Sequence, residues 1–306
     1  MIVDSPLATA PWLVPDGARL ERVTTGATWS EGPVWLPTEG VLRWSDIPGD
    51  RILEVDPRDG ELRVYRAGVE FTNGRTLDLD GNVVQCSHGR RAVERDIDGE
   101  VTIIADRWNG HRLNSPNDVV VASDGSIWFT DPPYGIVQEH EGHLGTPEYG
   151  GNFVFRIDPL DGRVDTMIRD VEEPNGLAFS PDESILYVTD TSAALRSDGS
   201  GNHHIAAYDV ATDFSCSGPR VFAVVEPGLA DGIRVDELGR VWSSSADSVQ
   251  IFAPDGALLG RIPVPEKVGN LCFGGADGSI LFVAATTSIY SIATTTRDAA
   301  WRGSGA

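Results

Sequence analysis

Basic residues are scarce: 24 Lys and Arg stand against 46 Asp and Glu, a formal net charge of −22 over 306 residues. Nucleic acid and anionic membrane surfaces would repel such a chain, so neither is an expected partner. Cysteine is scarcer still. Cys86, Cys216 and Cys272 are odd in number and far apart, with no C-x-x-C, which excludes a disulfide framework and fits reduced thiols. No run approaches 18 apolar residues, and the first residues have no basic stretch and are broken by prolines. A soluble, cytoplasmic protein is the expectation. Long helical stripes are absent, as are G-x-S-x-G, G-x-G-x-x-G and any phosphate loop, so a serine triad or nucleotide cofactor has no support.

What is present is a repeat. Short runs rich in Val, Ile, Phe, Trp and Thr are separated by turns that contain aspartate, often Asp-Gly, as in VVVASDGSIWFT, LAFSPDESILYVT and LCFGGADGSILFVAA. Each reads as a β-hairpin. Six such hairpins begin at Glu31, Asn73, Asn117, Asn175, Asp231 and Asn270, at intervals of 42, 44, 58, 56 and 39 residues. Most are followed by a second apolar pair, which supplies two outer strands. Four-stranded units at this period predict an all-β, six-bladed β-propeller spanning residues 1–306 as one domain. Residues 18–26 are expected to complete the last blade, and 293–306 to form a tail.

The six starting positions all carry a side-chain oxygen. Inner strands of a propeller line its central channel, so these residues should converge at one end. Asn-Gly and Asp-Gly are also turn signals, but six repetitions in register favour a channel site. Carboxylates and amides without His or Cys suit one hard divalent cation, Ca²⁺ first, with Mg²⁺, Mn²⁺ or Zn²⁺ as alternatives. Glu31 and Asp231 would neutralise it. The returning strands end at Asp46, His88, Asp131 and Asp190, which either orient the first ring or cap strand ends. Two long connections, 136–150 and 191–204, should roof the pocket and offer His140, His143, Tyr149 and His204 to its rim. DLDGN (78–82) and RDIDGE (95–100) echo a calcium loop but lack its helical context, and read as hairpin turns.

EGPVW (31–35), WSDIP (44–48), LNSPNDVV (113–120), DGSIWFTDPPYG (124–135), EPNGLAFSPDE (173–183), LYVTDT (186–191) and DGIRVD (231–236) together resemble the bacterial branch of the gluconolactonase and senescence-marker-protein family, which includes regucalcin. The resemblance runs from about residue 20 to residue 292. It implies a six-bladed propeller with one catalytic divalent ion, bound by Glu31, Asn175 and Asp231, with Asn117 beside it and Asp231 as general base. Asn73, His88, Asp131, Asp190 and Tyr149 are candidates for contact with the substrate or for the shell that supports the ligands. The implied activity is metal-dependent opening of a small sugar lactone. The rivals are another ester, a phosphotriester or a biosynthetic intermediate as substrate, or a calcium-stabilised binding propeller. One departure stands out: where the regucalcin branch has an arginine two residues before the matching asparagine, this chain has Ser115, so its substrate clamp should differ. The sequence does not reveal the oligomeric state.

Overall fold

The computed structural model describes residues 11–301. Six four-stranded antiparallel sheets follow one another around a ring, each beginning at the channel and ending at the rim. Their inner strands are Ser30–Leu36, Thr72–Leu77, Val119–Val121, Pro174–Phe179, Ile233–Val235 and Val268–Gly274. The sixth blade takes three strands from the end of the chain and its outermost, Glu21–Thr25, from the beginning, with Glu21 opposite Ser291. The six-bladed propeller read from the repeat is the observed fold.

Alternation along each strand sends apolar side chains to both faces of a blade, so the core is divided among the six blade interfaces. Leu42, Trp44 and Leu53 of blade one meet Phe282, Ala284 and Ile289 of blade six. Trp128 and Val154 of blade three meet Leu177, Leu186 and Val188 of blade four. The other four interfaces repeat the pattern. Cys86 and Cys272 are buried in this core, and all three cysteines are free thiols.

Aspartates build the hairpin turns away from the site. Asp124, Asp182 and Asp277 each accept the N–H two residues on, at 2.9 to 3.1 Å. Asp78 does the same for Asp80 and Asn82, and Asp96 accepts Gly99 N–H, so both calcium-loop echoes are turns. Part of the acidic surplus is thus turn chemistry. Residues 294–301, read as the start of a tail, pack against blades five and six: Asp298 bridges Asp236, and Thr294 N–H donates to Ser279. Residues 302–306 lie outside the described residues, as do 1–10. No helix among the described residues is long and apolar enough to cross a membrane.

Candidate functional site

The ring of oxygens owes its closure to glycine. Gly32, Gly74, Gly176 and Gly232 directly follow Glu31, Asn73, Asn175 and Asp231, and at each of them a Cβ would collide with the neighbouring blade. At Gly176 it would lie 2.3 Å from Asp231 O, and at Gly32 2.1 Å from Asn73 O. The close approach permits hydrogen bonds from blade to blade: Gly74 N–H to Asn117 O at 2.8 Å, Gly176 N–H to Asp231 O at 3.1 Å, Gly232 N–H to Gly269 O at 2.8 Å. The X-Gly pairs are therefore channel contacts, not turns.

A second repeated device holds the ring backbone. Ser45, Thr130 and Thr189, each one residue before the returning strand's aspartate, donate their hydroxyls to Asn73 O (2.9 Å), Asn175 O (2.6 Å) and Asp231 O (3.0 Å) of the next blade. With carbonyls fixed in this way, five of the six side chains line one cavity of about 220 Å³: Glu31, Asn73, Asn117, Asn175 and Asp231. Asn270, the sixth, stays beneath and donates its amide to Glu31 Oε2 at 3.1 Å.

The electrostatics of this cavity call for a cation. Burial, then the nearby Asp231 charge, raise the Glu31 carboxyl well above its ordinary range. Burial likewise lifts Asp231 to about 6, with Lys267 opposing and Asp118 adding to the rise. Two buried oxygens, Glu31 Oε1 and Asn73 Oδ1, have no hydrogen-bond donor. No three His, Cys, Asp or Glu side chains cluster as metal ligands among the described residues. An ion here would take two carboxylates and amide oxygens, a set that fits a hard divalent cation.

Of the four residues ending the returning strands, only His88 touches the ring. Its Nε2 accepts the Asn73 amide at 3.2 Å while Nδ1 donates to Glu141 O at 3.0 Å, and burial pushes its pKa down to about 4, so the ring stays neutral. That pairing leaves Asn73 Oδ1 for the cavity. Asp131, Asp190 and Tyr149, candidates for the substrate or for the shell behind it, do not line the cavity. Asp131 accepts Asn114 N–H at 2.7 Å and the Tyr149 hydroxyl. Asp190 accepts N–H groups of Glu172, Glu173 and Ser192. Asp46 does likewise for Thr28 and Trp29. These carboxylates sit at strand ends, where free N–H groups gather. His140, His143 and His204 also lie off the cavity; His143 pairs with Glu70 at 2.8 Å.

The loop after blade three's second strand does roof the site, through residues that sequence reasoning missed. Ser115 Oγ donates to Pro132 O (2.6 Å) and accepts Gly135 N–H (3.0 Å), which fixes the start of the short helix Tyr134–Val137. Tyr134, Gln138 and Glu141 then line the cavity with Thr191, Trp29 and Lys267. Thr191 Oγ1 accepts the Asn175 amide at 3.2 Å and pairs with the Tyr134 hydroxyl at 2.6 Å. Burial, followed by the Asp231 charge, raises Glu141 to about 7. Asp118 was missed as well: it occupies the position after Asn117 where four other blades have glycine, is 1% exposed, and faces Arg234 at 3.7 Å. Lys267 had a signal in composition, being the chain's single lysine.

A larger cavity of about 500 Å³ opens at the opposite mouth. It is lined by hairpin turns and by apolar residues such as Trp35, Phe179 and Phe273, and holds none of the ring oxygens.

A closed ring of six blades around a buried set of carboxylates and amides defines the class: a propeller with an oxygen-rich polar cavity at one mouth of its channel. The chain matches the SMP-30/gluconolactonase/LRE-like region over residues 29–287 and belongs to that family. It is 31% identical over 302 residues to a gluconolactonase of Zymomonas mobilis, covering 90% of this chain and 82% of that protein. A pentonolactonase of Haloferax volcanii is 32% identical over 270 residues, covering 85% and 82%. The solved structure of a Xanthomonas campestris gluconolactonase superposes with a TM-score of 0.88 at 38% identity, covering 96% and 97%.

Proposed function

We propose that the protein hydrolyses a small sugar lactone, using a divalent ion held by Glu31, Asn117, Asn175 and Asp231. One observation carries the reading: five oxygen-bearing side chains from five successive blades line a single cavity in which three carboxylates face one cation, Lys267, and so leave an excess of negative charge. Membership of a family with gluconolactonase and pentonolactonase relatives supports the choice of ester. A volume of about 220 Å³ lies below the ~300–1,000 Å³ common for drug-sized ligands, which favours a monosaccharide-sized one. Ca²⁺ suits the all-oxygen set best.

When bound, the ion supplies Lewis acidity toward the ester carbonyl and acidifies water beside it. The chain's own groups do the rest. Asp231 accepts the proton of the attacking water. The Asn117 amide orients that water or the ester. Asn175 is aligned by Thr191, and Asn73 by His88, so neither amide has to reorganise as charge develops. The lid residues Tyr134 and Gln138 limit solvent above the reacting bond.

The test is acid release from a panel of sugar lactones, followed with a pH indicator before and after chelation, with Ca²⁺, Mg²⁺, Mn²⁺ and Zn²⁺ restored singly. Release that stops with chelator and returns with one ion supports the reading. No release from any lactone with any ion refutes it.

A further inference from the structure

Three carboxylates line the cavity, Glu31, Asp231 and Glu141, together with one cation, Lys267. The backbone around Lys267 is pinned. Its carbonyl accepts Thr286 N–H at 2.9 Å and Thr286 Oγ1 at 3.2 Å, and the next N–H, of Val268, donates to Ser245 O at 3.0 Å. The ammonium lies 5.0 Å from the centre of the Trp29 ring. Trp29 is fixed in turn, its N–H donating to Asp46 Oδ1 at 3.0 Å. Among the described residues Lys267 forms no ion pair, and its ammonium has no hydrogen-bond acceptor; its one side-chain contact of this kind is the aromatic face. An ammonium has three donors. Held over a ring at the wall of a polar cavity, it keeps them for a ligand.

Charge decides what kind of ligand. A divalent ion and Lys267 together balance the three carboxylates, so the loaded cavity suits a neutral molecule. Lys267 only donates, Glu141 when ionised only accepts, and Gln138 does both. Gln138 Nε2 already donates to Glu141 Oε1 at 3.3 Å, which holds that carboxylate in place on the lid. Hydroxyl groups, which donate and accept at once, match this wall. Ser115 cannot substitute for the lysine, since its hydroxyl is engaged with Pro132 and Gly135.

We infer that Lys267 is the specificity-determining residue of the site, its ammonium gripping ring hydroxyls of a neutral polyhydroxy lactone, an assignment that rests on the lactonase reading. Such a site rejects a ring that lacks the hydroxyls, because its polar groups are then left unpaired.

The experiment compares wild type, Lys267→Met and Lys267→Arg, each loaded with calcium, on glucono-δ-lactone and on δ-valerolactone, the same ring without hydroxyls. The expected result for Lys267→Met is a KM for gluconolactone raised tenfold or more and a selectivity ratio in kcat/KM between the two lactones lowered by a similar factor. Lys267→Arg should restore part of it. An equal loss on both lactones would place Lys267 at the reacting ester and overturn the assignment, as would an unchanged ratio. Binding of glucitol, measured by calorimetry, separates this inference from the activity. If wild type opens neither lactone, yet binds glucitol and Lys267→Met does not, the grip stands and the lactonase reading falls. Glucitol bound equally by both proteins, or by neither, overturns the grip.

Discussion

The cation site should weaken steeply in acid, by an amount the structure sets. Asp231 is lifted from 3.8 to about 6 by burial, opposed by Lys267 and reinforced by Asp118. At pH 5 the group keeps its proton in roughly nine molecules of ten, whereas at pH 7.5 it is ionised. An ion binding at pH 5 must expel that proton, which costs about 1.4 kcal/mol per pH unit below the pKa, or roughly tenfold in Kd. Glu31, raised by burial and by Asp231 itself, adds in the same direction. Calcium should therefore bind at least about tenfold more weakly at pH 5 than at pH 7.5. Thermal melts with calcium and with chelator report this as a difference. For a chain of this length the unfolding entropy is about 0.6 kcal/mol per kelvin, so the calcium-induced rise in Tm should shrink by about 2 °C or more on acidification. Taking the difference removes groups that titrate away from the ion. A calcium effect as large at pH 5 as at pH 7.5 would refute the argument. So would calcium binding by Glu31→Gln and Asp231→Asn at wild-type affinity.

Replacing Asp231 by Asn should lower kcat by about 100-fold or more while circular dichroism stays that of the folded sheet, and substantial remaining turnover would remove Asp231 as base. Gly74→Ala would set a Cβ 2.6 Å from Asn117 O and 2.7 Å from Asp118 Cα, so overpacking should cost about 1–3 kcal/mol and lower Tm by about 2–5 °C. An unshifted melt would deny the close approach of the blades. His88, pushed by burial from 6.5 to about 4, is protonated first in the unfolded chain; its contribution is full above about pH 6.5 and is lost as pH falls toward 4, about 3 kcal/mol in all. His88→Phe should flatten that acid limb of the stability curve, measured by urea unfolding between pH 4 and 7, and equal slopes in both proteins would contradict it.

The propeller was legible because its signal repeats: an apolar hairpin recurs six times, five of them with an aspartate in the turn, and tertiary packing had no reason to override them. The ring residues were legible for the same cause. Their glycines were misleading taken singly, since Asn73-Gly74 looks like a turn until the neighbouring blade lies against it. Asp118 was invisible because it breaks the pattern that exposed the others. The returning aspartates could be placed at the correct end of the channel, but their partners, backbone N–H groups at strand ends, leave no mark in side-chain spacing. The lid was found as a long loop, and the wrong residues were favoured within it. Histidines draw the eye, yet Gln138 and Glu141 face the cavity because Ser115 and His88 fix the loop from below.

Closing the last blade with the first strand carries a consequence for how the molecule is made. Glu21 finds Ser291 across 270 residues of chain. Bringing such distant segments together costs about 5 kcal/mol of chain entropy beyond a constant, and the cost is met only when the sixth blade exists. Each earlier blade can form from local hairpins, but the ring stays open until the sixth blade has been made. The ring behaves as a clasp: late to fasten during biogenesis, and the seam from which the structure would come apart under load. Moving the chain ends to a hairpin turn between two strands of one blade would place the seam among local contacts and let the propeller assemble faster.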